Sequence, residues 1–155
     1  MNINVKHLSK KFNNYVAVNN INFTLDKNKT LGLLGPNGCG KTTSIGMMLG
    51  LITPSNGEVL INGQNVNNVN RDELLGKMNF ASPYIELPKK LTVRQNLEVY
   101  GRLYGIKNLK NRISEISEDL DLNNFLDKKT GELSSGQKNR VSLAKSLINK
   151  PEILF

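Results

Sequence analysis

Residues 35–42, Gly35-Pro36-Asn37-Gly38-Cys39-Gly40-Lys41-Thr42, put three glycines, a lysine and a hydroxyl into one short stretch. Glycines at this spacing let backbone N–H groups turn inward around an anion. In Gly-x-x-x-x-Gly-Lys-Thr the lysine, Lys41, places a point charge for β- and γ-phosphates, and the Thr42 hydroxyl suits Mg²⁺. A helix starting here would add its positive dipole end. With glycine at roughly 7% of residues, a chance match anywhere in such a chain has a probability of about one per cent or less. The stretch therefore reads as a phosphate-binding loop for a nucleoside triphosphate. Cys39 reads as a small residue filling a tight turn, since nothing beside it is a metal ligand.

A second cluster, Leu133-Ser134-Ser135-Gly136-Gln137, offers a hydroxyl at Ser134 and an uncovered N–H at Gly136. At a helix N-terminus these would make an anion site for a γ-phosphate, and simple helix capping is the other reading.

Both clusters need elements to hold them. Residues 1–30 alternate apolar and polar at Ile3/Val5, Val16/Val18 and Ile21/Phe23/Leu25, which predicts β structure. Leu31-Gly32-Leu33-Leu34 predicts a buried parallel strand feeding the glycine loop, and helix follows over 43–51. A turn at 53–57 leads to a strand at 58–62, residues 64–70 read as loop, and 78–81 as a further strand. Thr92 with Gln95 forms a capping box, and Val93, Leu97, Tyr100 and Tyr104 mark one helical face. Helix is expected over 108–122 and 124–127. Ser134 or Ser135 caps a last helix carrying Val141, Ala144 and Ile148, and 152–155 begins a buried strand.

The chain has 155 residues, 38% hydrophobic and 22% charged, which suits one ordinary globular domain. No apolar run approaches the roughly 18 residues of a membrane span, and the N-terminus lacks a signal-peptide core, so a cytosolic location is expected. The net charge is +8, but six Lys/Arg face two acids over 1–65 and fifteen face eleven over 66–155. With no basic run and no interleaved aromatics, a solvated basic surface is expected rather than a nucleic-acid partner.

Gly-Pro-Asn-Gly-Cys-Gly-Lys-Thr-Thr over 35–43, followed by Leu-Ser-Ser-Gly-Gln-Lys-Asn-Arg over 133–140, resembles the nucleotide-binding subunit of ATP-binding cassette (ABC) transporters, exporter-like, and the likeness runs through 2–155. The resemblance implies an α/β fold with a P-loop NTPase (RecA-like) core at 31–52. To it belong an N-terminal antiparallel β subdomain (1–30 and 57–63), an inserted α-helical signature subdomain (90–130), and a signature helix with the start of the Walker B strand (133–155). It implies ATP and Mg²⁺ as cofactors, with Gly35, Pro36, Asn37, Gly38, Cys39, Gly40, Lys41, Thr42 and Thr43 around the phosphates and Thr42 on the metal. Phe12 matches the family's adenine-stacking aromatic; Tyr15 is the alternative, and either ring could be core.

In the family two such subunits join head to tail, so Ser134, Ser135, Gly136 and Gln137 would serve a partner's ATP. A separate transmembrane permease subunit would dock in a groove between 82–92 and the helix of residues 91–105, although packing on its own domain explains that helix face equally well. Export across a membrane, from its cytoplasmic face, is the implied role. Soluble relatives acting on nucleic acid or ribosomes, or a non-catalytic ATP-binding module, are the alternatives. Two departures stand out. Ala81-Ser82-Pro83-Tyr84 lacks the Gln usual there, and Pro151-Glu152-Ile153-Leu154-Phe155 reaches the Walker B strand without the Asp and Glu that follow it. The C-terminal part of the core is therefore expected to be missing, and the 155-residue chain to bind ATP weakly or without hydrolysis.

Overall fold

The computed structural model describes residues 2–68, 71–82 and 87–155, which divide into two compact units, residues 1–75 and 76–155. In the first, β1 (Ile3–Phe12) and β2 (Tyr15–Leu25) form an antiparallel hairpin. The two runs of alternation between Val16 and Leu25 merge into the one long strand β2. Next, α1 (Lys41–Met48) is followed by β3 (Asn56–Ile61), β4 (Gln64–Asn65) and α2 (Arg71–Gly76). The four strands make one sheet in the order β2-β1-β3-β4, with every pair antiparallel. Ile3, Val5, Leu8, Val18, Val59 and Ile61 are buried on it, as the period-2 pattern requires. His7 lies at a register shift with φ 49°, its N–H donating to Asn22 Oδ1 at 2.7 Å.

The expected buried strand at 31–34 does not form. These residues have no strand assignment, and Leu34 is 92% exposed. A parallel strand draws its stability from flanking neighbours, and no described residue pairs with this backbone, so an apolar run alone does not suffice. The helix after the loop also stops earlier than expected, at Met48. Gly50 takes φ 66°, with Gly50 N–H bonding Met47 O at 3.1 Å and Leu51 N–H bonding Gly46 O at 2.9 Å, a Schellman finish.

In the second unit, α3 (Val93–Leu103), α4 (Leu109–Asp119) and α5 (Ser135–Leu147) enclose a core that includes Val93, Leu97, Ile113, Ile116, Phe125, Val141, Ala144 and Ile148. The helix expected at 124–127 is a single 3₁₀ turn, Asn123–Phe125. The strands β5 (Met78–Asn79) and β6 (Ile153–Leu154) pair in parallel, with Ala81 N–H bonding Phe155 O at 2.8 Å. β6 is only half-buried, Leu154 being 44% exposed, because a two-stranded sheet leaves its outer positions uncovered. Ser82 ends the second described stretch. Pro83 and Tyr84 of the departing segment, and with them part of the expected docking groove, lie outside the described residues.

Candidate nucleotide-binding site

In the first unit the glycine loop rests on the hairpin. Gly40, with φ 92°, immediately precedes α1. A Cβ here would collide with the Ala17 carbonyl oxygen and approach Val18 Cγ2 at 3.0 Å, so both backbone conformation and contact demand glycine. Tyr15, on the same strand as Ala17 and Val18, donates its hydroxyl to Gly38 O at 3.2 Å. No side chain caps α1, which leaves first-turn N–H groups without an intrahelical acceptor. Lys41 folds back onto the loop. Its ammonium donates to Gly35 O and Pro36 O, both at 2.7 Å, and lies 3.8 Å from Cys39 Sγ.

Cation, helix end and exposed glycine backbone thus converge within one loop. A phosphate oxygen would offer Lys41 a stronger acceptor than the two neutral carbonyls it holds. Thr42 is exposed on the first turn, and Thr43 is half-buried beside it.

Phe12 and Tyr15 face each other across the hairpin end. Neither is core: Phe12 is 45% exposed and Tyr15 61%. Lys10 Nζ lies 5.0 Å from the Phe12 ring centroid, so that ring already carries a cation on one face. The sequence offered Tyr15 as a base platform or as a core ring. Its hydroxyl tie to the loop joins residues far apart in sequence and leaves no local signal.

In the second unit, Ser134 is the N-cap of α5, which settles the choice between Ser134 and Ser135. Gln137 N–H donates to Ser134 Oγ at 3.3 Å, and Ser134 N–H donates to Gln137 Oε1 at 2.9 Å. The capping reading of this motif is therefore realised. Ser134, Ser135 and Gly136 remain exposed at the helix start, so phosphate recognition is compatible with it. Ser134-x-x-Gln137 repeats the spacing of Thr92-x-x-Gln95, so the same capping-box signal stands at both helix starts. At its far end α5 is held by Arg112, which donates to Leu147 O at 2.6 Å and Ile148 O at 3.1 Å. Among the described residues no cluster of His, Cys, Asp or Glu could hold a metal on its own.

The loop, its helix and the capped second motif match a known pattern in order and spacing. The profile described as ABC transporter matches residues 18–155. This chain belongs to the ABC transporter family. A probable multidrug ABC transporter ATP-binding protein of Escherichia coli, YbhF, is 36% identical over 99% of this chain and 27% of its own length. A Nod factor export ATP-binding protein of Burkholderia lata is 36% identical over 98% of this chain and 50% of its own. The zinc import ATP-binding protein ZnuC of Rickettsia bellii is 39% identical over 99% and 60%.

The chain thus spans between about a quarter and six-tenths of these curated relatives. Among solved structures, an ABC transporter ATP-binding subunit has a TM-score of 0.86 at 22% identity, over 99% of this chain and 65% of its own. A putative ABC transporter ATP-binding protein from Pyrococcus furiosus has a TM-score of 0.83 at 32% identity, over 99% and 74%. The P-loop NTPase fold of ABC ATP-binding subunits is therefore the fold of this chain. No helix among the described residues is long and apolar enough to cross a membrane.

Proposed function

We propose that this chain is the ATP-binding part of an ABC transporter, with Gly35–Thr42 holding the phosphates of Mg²⁺-bound ATP. The observation that carries this reading is the Lys41 ammonium folded back onto the glycine loop, 2.7 Å from two of its carbonyls, beside a helix start that no side chain caps. Thr42 would give Mg²⁺ one protein oxygen. That fits an ion held mainly by phosphates and water, and the described residues offer no carboxylate cage. Bound Mg²⁺ would neutralise charge between the β- and γ-phosphates. Phe12 or Tyr15 would stack the base, and Ser134–Gln137 would serve the ATP of a second copy. That second copy and a separate permease subunit at the cytoplasmic face of the membrane are the proposed partners.

Export is the proposed direction, on the likeness of residues 91–105 to exporter subunits; the curated relatives include both export and import proteins. Within residues 1–155 the segment Ile153-Leu154-Phe155 is not followed by the Asp and Glu of the family's Walker B motif. A polypeptide of these residues is expected to bind Mg·ATP without turnover. Isothermal titration with Mg·ATP, beside a phosphate-release assay, tests both statements. Absent binding would refute the loop assignment, and turnover abolished by Lys41→Ala would refute the inactivity.

A further inference from the structure

The glutamine at the end of the signature motif is already occupied. Gln137 Oε1 accepts the Ser134 N–H at 2.9 Å, while the Gln137 N–H donates to Ser134 Oγ at 3.3 Å. At the head of α3, which carries no signature residue, Thr92 and Gln95 make the same two bonds at 2.9 and 3.1 Å. A glutamine at the third helical position is thus what a well-capped helix start in this chain uses, with no nucleotide involved.

The box has a consequence for Ser134. One lone pair of its oxygen is taken by the Gln137 N–H, which leaves the O–H to donate outward. An ionised terminal phosphate is an acceptor, so the box presets the serine in the role that such a ligand requires. We propose that Gln137 is a positioning residue: it pins Ser134 at φ −65° and ψ 162°, keeps its hydroxyl a donor toward a γ-phosphate, and does not itself touch the nucleotide. This rests on the reading of Ser134–Gly136 as the half-site presented to a second copy.

The test is a double-mutant cycle in the full chain, read as Mg·ATP-driven self-association by light scattering. Gln137→Ala is expected to weaken association roughly three- to tenfold alone, and to add nothing once Ser134→Ala is present. A Gln137→Ala loss that persists undiminished beside Ser134→Ala would overturn the proposal, because the glutamine would then act on the nucleotide or partner directly. No loss from Gln137→Ala alone would overturn it equally. Amide exchange at Ser134 supplies a second readout. It should accelerate in Gln137→Ala and slow again in Gln137→Glu, which keeps the acceptor oxygen; failure of Glu to restore protection refutes the box as the cause. If Gln137→Ala does not fold, Gln137→Glu and wild type still carry that comparison. Association unaffected by Ser134→Ala would sink the half-site reading itself, and this inference with it. Protected exchange at Ser134 would then still show an intact box, which separates the two failures.

Discussion

Two helix starts in this protein are finished in opposite ways. α1 begins after Gly40 with no side-chain cap and with its own lysine folded over the loop. α5 begins at Ser134 with both arms of a capping box closed. Every helix start leaves backbone donors that a side chain, water or a ligand must satisfy. α5 settles part of that need internally, whereas α1 leaves it to whatever binds. Forgoing a cap costs a helix about 0.5–2 kcal/mol. α1 offsets this by burying Met47 and Met48 and by closing its far end through Gly50. The open start thus suits the proposed ligand, and the closed one holds a hydroxyl and an N–H in fixed places.

Lys41→Ala should break this contrast most strongly. Removing a cation hydrogen-bonded to phosphate is expected to weaken Mg·ATP binding roughly 10- to 100-fold by titration calorimetry. Ser134→Ala should leave the affinity of the isolated monomer within roughly twofold, because its half-site is proposed to serve another copy. Equal losses in the two variants would erase the distinction between a gripping end and a presenting end.

Two glycines sharpen it further. Gly40 has φ 92° and is pressed against Ala17 and Val18, so Gly40→Ala should cost about 1–3 kcal/mol in chemical denaturation. Gly136 has no neighbour within 4 Å and needs no positive φ. Gly136→Ala should therefore stabilise the chain by about 0.5–1 kcal/mol while impairing Mg·ATP-driven association, since a methyl would stand where the proposed phosphate approaches. A Gly136→Ala protein that associates normally would show that nothing docks there.

The same contrast explains what the sequence made legible. The glycine loop, both capping-box spacings and the buried faces of α3 and α5 are local patterns, set by residues three or four apart. All were readable from residue type. The short reach of α1 was readable too, in Gly50, but the helical spacing of Ile45, Met48 and Leu49 pointed to a longer helix. Residues 31–34 mark the limit. Leu31, Leu33 and Leu34 have the composition of a buried strand, yet a strand exists only through the neighbours that complete its ladder. The Tyr15 hydroxyl on Gly38 was hidden for a related reason, since it joins residues 23 apart through a hairpin whose register is fixed only on folding.

Acid should give the smallest effect and act on the other end of α5. Glu115 accepts from Lys150 and from Arg112, each at 2.9 Å, and these bonds hold its carboxyl below the usual carboxylate range. A carboxyl depressed in this way stabilises the folded state fully above its unfolded value, about 4.3, and that contribution is lost as pH falls through the lower folded value. Arg112, which Glu115 orients, is the residue that donates to Leu147 O and Ile148 O at the end of α5. Lowering the pH from about 5 to about 3 should therefore reduce amide protection over 145–148 first. The capping box at Ser134 and Gln137 has no ionisable side chain, and its protection should fall only with global unfolding. If the Ser134 end loosened first instead, the closed start of α5 would owe its rigidity to something other than its box. The contrast with α1 would then have to be drawn from the loop alone.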